Sequence, residues 1–124
     1  MYGFLVANYK YSGIRGINGY QNVSDLLPTP LDATNAFKAL LSMRVPHENI
    51  HQVHNIDFAK FSELINKIAS SIVRNRWKQG KVSFIYFQFS GHGLMDNKNY
   101  AVCSCADRAA KARYPLQEAL ENLA

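Results

Sequence analysis

The residues of this chain best suited to chemistry are His92, set between Gly91 and Gly93, the cysteines Cys103 and Cys105, and the histidines His47, His51 and His54. An imidazole titrating near pH ~6.5 can take and return a proton under neutral conditions. A thiol becomes a nucleophile once a neighbouring base raises its thiolate fraction. His92 has the most pointed setting, because it follows the apolar run Val82-Ser83-Phe84-Ile85-Tyr86-Phe87-Gln88-Phe89 and the break at Ser90-Gly91-His92-Gly93. That run is short, aromatic and β-branched, and it is bounded by Gly80 and by the Gly91/Gly93 pair, which reads as a strand. Its lack of clean alternation predicts burial on both faces. The two glycines allow positive φ and close approach of a substrate or second loop. The plain alternative is a strand-ending turn in which His92 is a partly exposed spacer.

The other groups carry weaker signals. Cys103 and Cys105 lie two apart on an expected strand, where their side chains diverge and pair poorly, so both read as ordinary buried or half-buried thiols in a reducing compartment. The three histidines have metal-ligand spacing only on a helix, whereas Pro46, Ile50 and Val53 point to a turn and strand; no metal is expected. Ser90 is too near His92 along the strand end to meet its imidazole, and no Gly-x-Ser-x-Gly elbow is present. The basic stretch from Arg74 to Lys81 falls at a helix end, where cations are favoured by the macrodipole, and no nucleic-acid motif accompanies the net charge of +5.

The elements that would position His92 follow from periodicity. At 124 residues, 48% apolar and 19% charged, the chain is expected to fold as one domain. Its start has no signal-peptide pattern and its longest apolar run is too short to span a bilayer, so a soluble cytoplasmic protein without membrane association is expected. Phe4 to Asn8 reads as a first strand, followed by a long soft loop. Asp32 stands at a helix start, with Ala33, Ala36, Phe37, Leu40 and Leu41 as its core stripe. Asn49 to Asn55 reads as a second strand, with Ile50, Gln52 and His54 on one face and His51 and Val53 on the other. A second helix runs from Phe58 to Trp77 with Gly80 as its stop. After His92, residues 94–99 read as a polar turn, Tyr100 to Cys103 as a strand, and Pro115-Leu116 as the opening of a last helix. Alternation of strand and helix predicts an α/β fold with a mostly parallel sheet, in which function collects at the carboxyl ends of the strands.

Phe4-Leu5-Val6-Ala7-Asn8, the helix opening Leu31-Asp32-Ala33, Tyr86-Phe87-Gln88-Phe89-Ser90-Gly91-His92-Gly93, and Tyr100-Ala101-Val102-Cys103 leading to Ala106-Asp107 together resemble the caspase-like cysteine peptidases. The resemblance is closest to the metacaspase and paracaspase branches. It implies a three-layer sandwich with helices on both faces of the sheet, and residues 1–124 as the large-subunit part, ending before the nucleophile strand. It further implies a Cys/His dyad with His92 as general base, the Gly93 backbone N–H as an oxyanion donor, and Asp32 in an S1 pocket for Arg or Lys side chains. Asp32 serves equally well as a plain N-cap. Animal caspases hold an aspartate side chain with an arginine before the first helix; here Leu26, Leu27, Pro28 and Thr29 occupy that neighbourhood, with Arg15 a distant substitute.

The nucleophile is where the pattern breaks. In caspases the Cys follows the His by roughly 50 residues, and only 32 residues follow His92 here. Cys103 and Cys105 come too early and in the wrong element. In the family's sheet the nucleophile strand lies beside the aromatic one, so its absence would leave an open apolar edge, which natural proteins avoid. The expected partners are therefore a peptide or protein substrate and a C-terminal segment or second chain supplying the Cys strand. No cofactor is expected; calcium or dimerisation activates some members of the family. The competing expectation is a non-catalytic caspase-like pseudoenzyme or interaction module.

Overall fold

The computed structural model describes residues 1–11, 25–26, 28–70, 79–80, 84–104 and 113–123. Three parallel strands form the first sheet: β1 (Tyr2–Ala7), β2 (Ile50–His54) and β3 (Ile85–Ser90), in the order β2-β1-β3. Gly3 to Ala7 of β1 stand opposite Ile50 to His54, and Tyr2 to Ala7 opposite Ile85 to Ser90. Three further strands, β4 (Gly93–Asp96), β5 (Lys98–Val102) and β6 (Arg113–Tyr114), make a separate antiparallel sheet. The fold is thus a small α/β arrangement, and its parallel sheet is joined by a second, antiparallel one that the periodicity did not announce.

The helices are α1 (Thr29–Ser42), α2 (Phe58–Lys67) and α3 (Leu116–Glu121). Successive β1 side chains point to opposite faces, and the core divides accordingly. Leu5 packs with Leu40 and Val45 on the α1 side, together with Ile50 of β2. Phe4 packs with Ile68 just beyond α2, and Val6 with Phe61 and Ile65. Ile50 lies on the α1 side and Val53 against the α2 cluster, as the alternation in β2 predicts.

Helix α1 begins earlier than expected. Pro28 is its N-cap, with Pro30 in the first turn, and Asp32 stands in that first turn, exposed and without a hydrogen bond or ion pair among the described residues. It is not the cap; proline at the opening, where backbone N–H groups have no helical partner, displaces it. Ala33 and Leu40 are buried, Ala36 and Phe37 half-buried, and Leu41 lies at the stripe's exposed margin. In α2, Asp57 caps the helix by accepting from the Lys60 N–H at 2.9 Å. A π-helical turn follows at residues 68–70, and the expected continuation to Trp77 lies outside the described residues, as does most of the Arg74 to Lys81 basic stretch. Gly80 has φ of 68°, the left-handed conformation of a helix-stop glycine.

Two expectations, one about the aromatic strand and one about the segment after it, are corrected. Residues 94–99 are not a turn but most of a hairpin: Asp96 pairs with Lys98 around Asn97, whose φ of 63° is one that asparagine tolerates. And β3 is half-buried at every position instead of enclosed on both faces. Its side chains do alternate. Ile85, Phe87 and Phe89 join the clusters on the α2 side, while Tyr86, Gln88 and Ser90 carry a polar ladder, with the Tyr86 hydroxyl donating to Gln88 at 2.8 Å and the Gln88 amide to Ser90 at 3.2 Å. Tyrosine at position 86 hides this period when it is counted as simply apolar.

Candidate functional site

A set of buried, hydrogen-bonded polar groups lies at the carboxyl ends of β1 and β3. Asn8, fully buried just past β1, donates its backbone N–H to the Ser90 carbonyl at 2.9 Å and so fastens the two strand ends together. Its side-chain oxygen accepts from the Ile56 N–H at 2.9 Å, and its amide nitrogen donates to the carbonyls of Ile56 at 3.2 Å and Val102 at 3.3 Å. Asn55, with φ of 52°, is the second organiser. Its side-chain oxygen accepts from the backbone N–H groups of Tyr9 at 3.0 Å and Lys10 at 2.9 Å, turning the chain after β1.

Tyr11 ends this turn with its side chain fully buried. Its hydroxyl accepts from the His92 N–H at 3.0 Å and donates to the Val102 carbonyl at 3.2 Å. Its ring meets the imidazole edge-on, with centroids 4.7 Å apart. Burial drives the Tyr11 phenol well above the usual tyrosine range; the hydrogen bond from His92 opposes that rise and Cys103 adds to it. The hydroxyl therefore stays protonated and available as a donor.

His92 is half-buried directly after β3, at the carboxyl end of the parallel sheet, where the α/β layout places function. The glycines beside it differ. Neither has positive φ, so close approach is what distinguishes them. A Cβ on Gly91 would lie 2.6 Å from the Tyr11 hydroxyl, 2.7 Å from the Phe89 ring and 3.0 Å from the Asn8 carbonyl, whereas one on Gly93 would meet only the Tyr100 carbonyl at 3.8 Å. Gly93 lies opposite Ala101 in β4–β5, one step beyond the His92–Val102 pair, whose bond runs from Val102 N–H to the His92 carbonyl at 2.9 Å. Antiparallel alternation turns the Gly93 N–H away from β5.

Beside these residues lies an apolar cleft of about 420 Å³, lined by Phe87 and Phe89 of β3, Leu116 and Leu120 of α3, and Gly91, Gly93 and Tyr100. On β3 the carbonyls of Phe84 and Ser90 point to β1. By strand alternation, the N–H and C=O groups of Ile85, Phe87 and Phe89 face the other edge, where no described strand pairs with them.

Asp32 lies at the same end of the sheet, since Leu26 donates to the Tyr9 carbonyl and Thr29 to the Leu26 carbonyl, bringing the start of α1 beside the end of β1. No contact joins Asp32 to His92 among the described residues. Cys103 is fully buried, and burial, with Asp57 adding to it, pushes its thiol up to about 12. It is a core side chain packed with Phe61 and Tyr114, and a poor thiolate. Cys105, Ala106, Asp107 and Arg15 lie outside the described residues. The other histidines disperse: His47 meets Phe37 edge-on, His51 stacks on Phe4, and His54 meets Tyr9 edge-on. Among the described residues no three metal-ligating side chains converge.

Sequence reasoning missed Asn8, Tyr11 and Asn55. The available signal was an asparagine directly after each of the first two strands, a polar residue at a sheet's carboxyl end that must find partners if buried. Tyr11 had no local signal. No family model, curated protein or solved structure matches this chain.

Proposed function

We propose that the chain is the large-subunit part of a caspase-like cysteine endopeptidase, in which His92 is the general base of a Cys/His dyad and the thiol arrives on a strand added beside β3. The observation that carries this reading is the pairing of two features at one place: an imidazole fixed at the carboxyl end of β3, and an outer edge of β3 bearing the backbone groups of Ile85, Phe87 and Phe89. A strand added there brings its own carboxyl end next to His92 if it runs parallel. The imidazole would then raise the thiolate fraction of a cysteine at that end and return the proton to the leaving amine. The outward turn of the Gly93 N–H supports its role as an oxyanion donor, and the exposed Asp32 carboxylate supports an S1 pocket for Arg or Lys.

The faces of β3 also define the incoming strand. Side chains on one face must be apolar to fill the cleft between Phe87, Phe89, Leu116 and Leu120, and those on the other must suit the Tyr86, Gln88 and Ser90 ladder. The same edge and cleft favour a second reading, a non-catalytic module that captures an extended segment of another protein by strand addition. Cys103, buried and held as a thiol, offers no nucleophile to distinguish the two.

The test is to express the full product of the gene that encodes this chain and measure cleavage of fluorogenic peptides after Arg or Lys. His92→Ala abolishes turnover, and Asp32→Ala weakens basic substrates selectively. Turnover unchanged by His92→Ala removes the dyad. A stable strand-added complex with no turnover favours the binding module.

A further inference from the structure

In the hairpin ladder His92 stands opposite Val102, one step past the Gly93–Ala101 pair. A pair of this type normally exchanges two backbone hydrogen bonds. Here one is direct, from Val102 N–H to the His92 carbonyl at 2.9 Å. The other is interrupted: the His92 N–H donates to the Tyr11 hydroxyl at 3.0 Å, which in turn donates to the Val102 carbonyl at 3.2 Å. The Asn8 amide reaches the same carbonyl at 3.3 Å.

We propose that Tyr11 is the positioning residue of His92, its hydroxyl wedged into the last rung of the β4–β5 ladder so that the His92 backbone is spread from Val102 while its ring holds the imidazole edge-on. This rests on the reading of His92 as the base, and the clamp itself is observable without any activity. The wedge explains Gly91, since any side chain there meets the Tyr11 hydroxyl within 2.6 Å. It explains why a tyrosine is buried at the end of a polar turn: the hydroxyl receives one bond and gives one, leaving no unmet group. It also makes the two parts of the side chain separable. The hydroxyl sets the backbone of His92, and the ring sets the plane against which the imidazole rests.

The experiment is solution NMR of the chain, with the His92 ring signals assigned by His92→Gln. In the unsubstituted chain the buried Tyr11 hydroxyl proton gives a slowly exchanging resonance with a nuclear Overhauser contact to the His92 amide. Tyr11→Phe keeps the ring but removes the wedge: the His92 amide resonance moves as it loses or remakes its bond, while the ring-current shift of the imidazole protons is largely retained. Tyr11→Leu removes both effects. The Asn8 and Asn55 side-chain amides report whether the surrounding fold persists. A missing hydroxyl-to-amide contact in the unsubstituted chain overturns the proposal even if neither variant folds. So does a His92 amide unmoved in a folded Tyr11→Phe variant. Loss of the dyad reading in the cleavage assay leaves these signals where they are, so the two failures are distinguishable.

Discussion

Strands β1 and β3 lie side by side in the same parallel sheet, and they are built for different ends. Every residue of β1 from Gly3 to Ala7 is buried and has a side chain without polar atoms, and both edges of the strand are paired. Every residue of β3 is half-buried, one edge is paired among the described strands, and the strand divides into an apolar, aromatic-rich face and a polar one. The central strand spends its side chains on stability. Strand β3 leaves surface, and a backbone edge that no described strand covers, at the place where His92 emerges, which is the division expected if β3 receives the added strand proposed above.

The largest test of that contrast is truncation on each strand. Phe4→Ala, in a site with no exposure, is expected to cost ~3–5 kcal/mol. Phe87→Ala, already half open to the cleft, should cost about half as much or less in urea denaturation. Equal losses would mean that β3 is as much a core strand as β1. Asn8→Ala removes the partner of the Ile56 N–H and Ile56 and Val102 carbonyls, and should lie in the upper part of the ~1–3 kcal/mol range for leaving buried groups unpaired.

A smaller effect separates the glycines beside His92. Gly91→Ala forces its Cβ onto the Tyr11 hydroxyl and Phe89 ring and is expected to cost ~1–3 kcal/mol, while Gly93→Ala stays within about 0.5 kcal/mol. Thermal denaturation of the pair would show a reversed order if crowding were not what selects glycine at position 91. The smallest effect is that of pH. Burial, with Lys67 adding to it, lowers the pKa of His51 below its ordinary value, so below about pH 6.5 the unfolded chain binds the proton first. The resulting contribution to stability is full above that pH and declines as pH falls through it, and His51→Gln should flatten the slope of Tm between about pH 7 and 5.

Most of the parallel layer was legible because its signals are local. The apolar run of β1, the split faces of β2 and the period of α2 each lie within a few residues. The hairpin β4–β5 escaped because its polar sequence, Asp96, Asn97, Lys98 and Asn99, looks like a turn until a partner strand is known. The position of His92 at the end of β3 was readable from the break at Ser90-Gly91-His92-Gly93, but its setting was not. That setting is made by Tyr11, from a segment that reads as a soft polar loop, and by Asn8 and Asn55, whose side chains bond to residues up to 94 positions away. No local period encodes such contacts. Asp32 illustrates the converse: an acid near a helix start reads as a cap, and two prolines move the boundary ahead of it.

The contacts around Tyr11 also tie the two ends of the chain together. Its hydroxyl joins residues 81 and 91 positions away, and Asn8 joins residues 48 and 94 away. Each closure must be preceded by the chain between, whose ordering costs entropy before any bond compensates it. The pairing of β1 with β3, Tyr2 opposite Ile85 and Ala7 opposite Ser90, already closes a comparable stretch of chain, so once those strands align Tyr11 and His92 meet at little further closure entropy. The His92 setting and the parallel sheet are therefore expected to form and to be lost together, which amide hydrogen exchange at His92 and along β1 would show as matching protection.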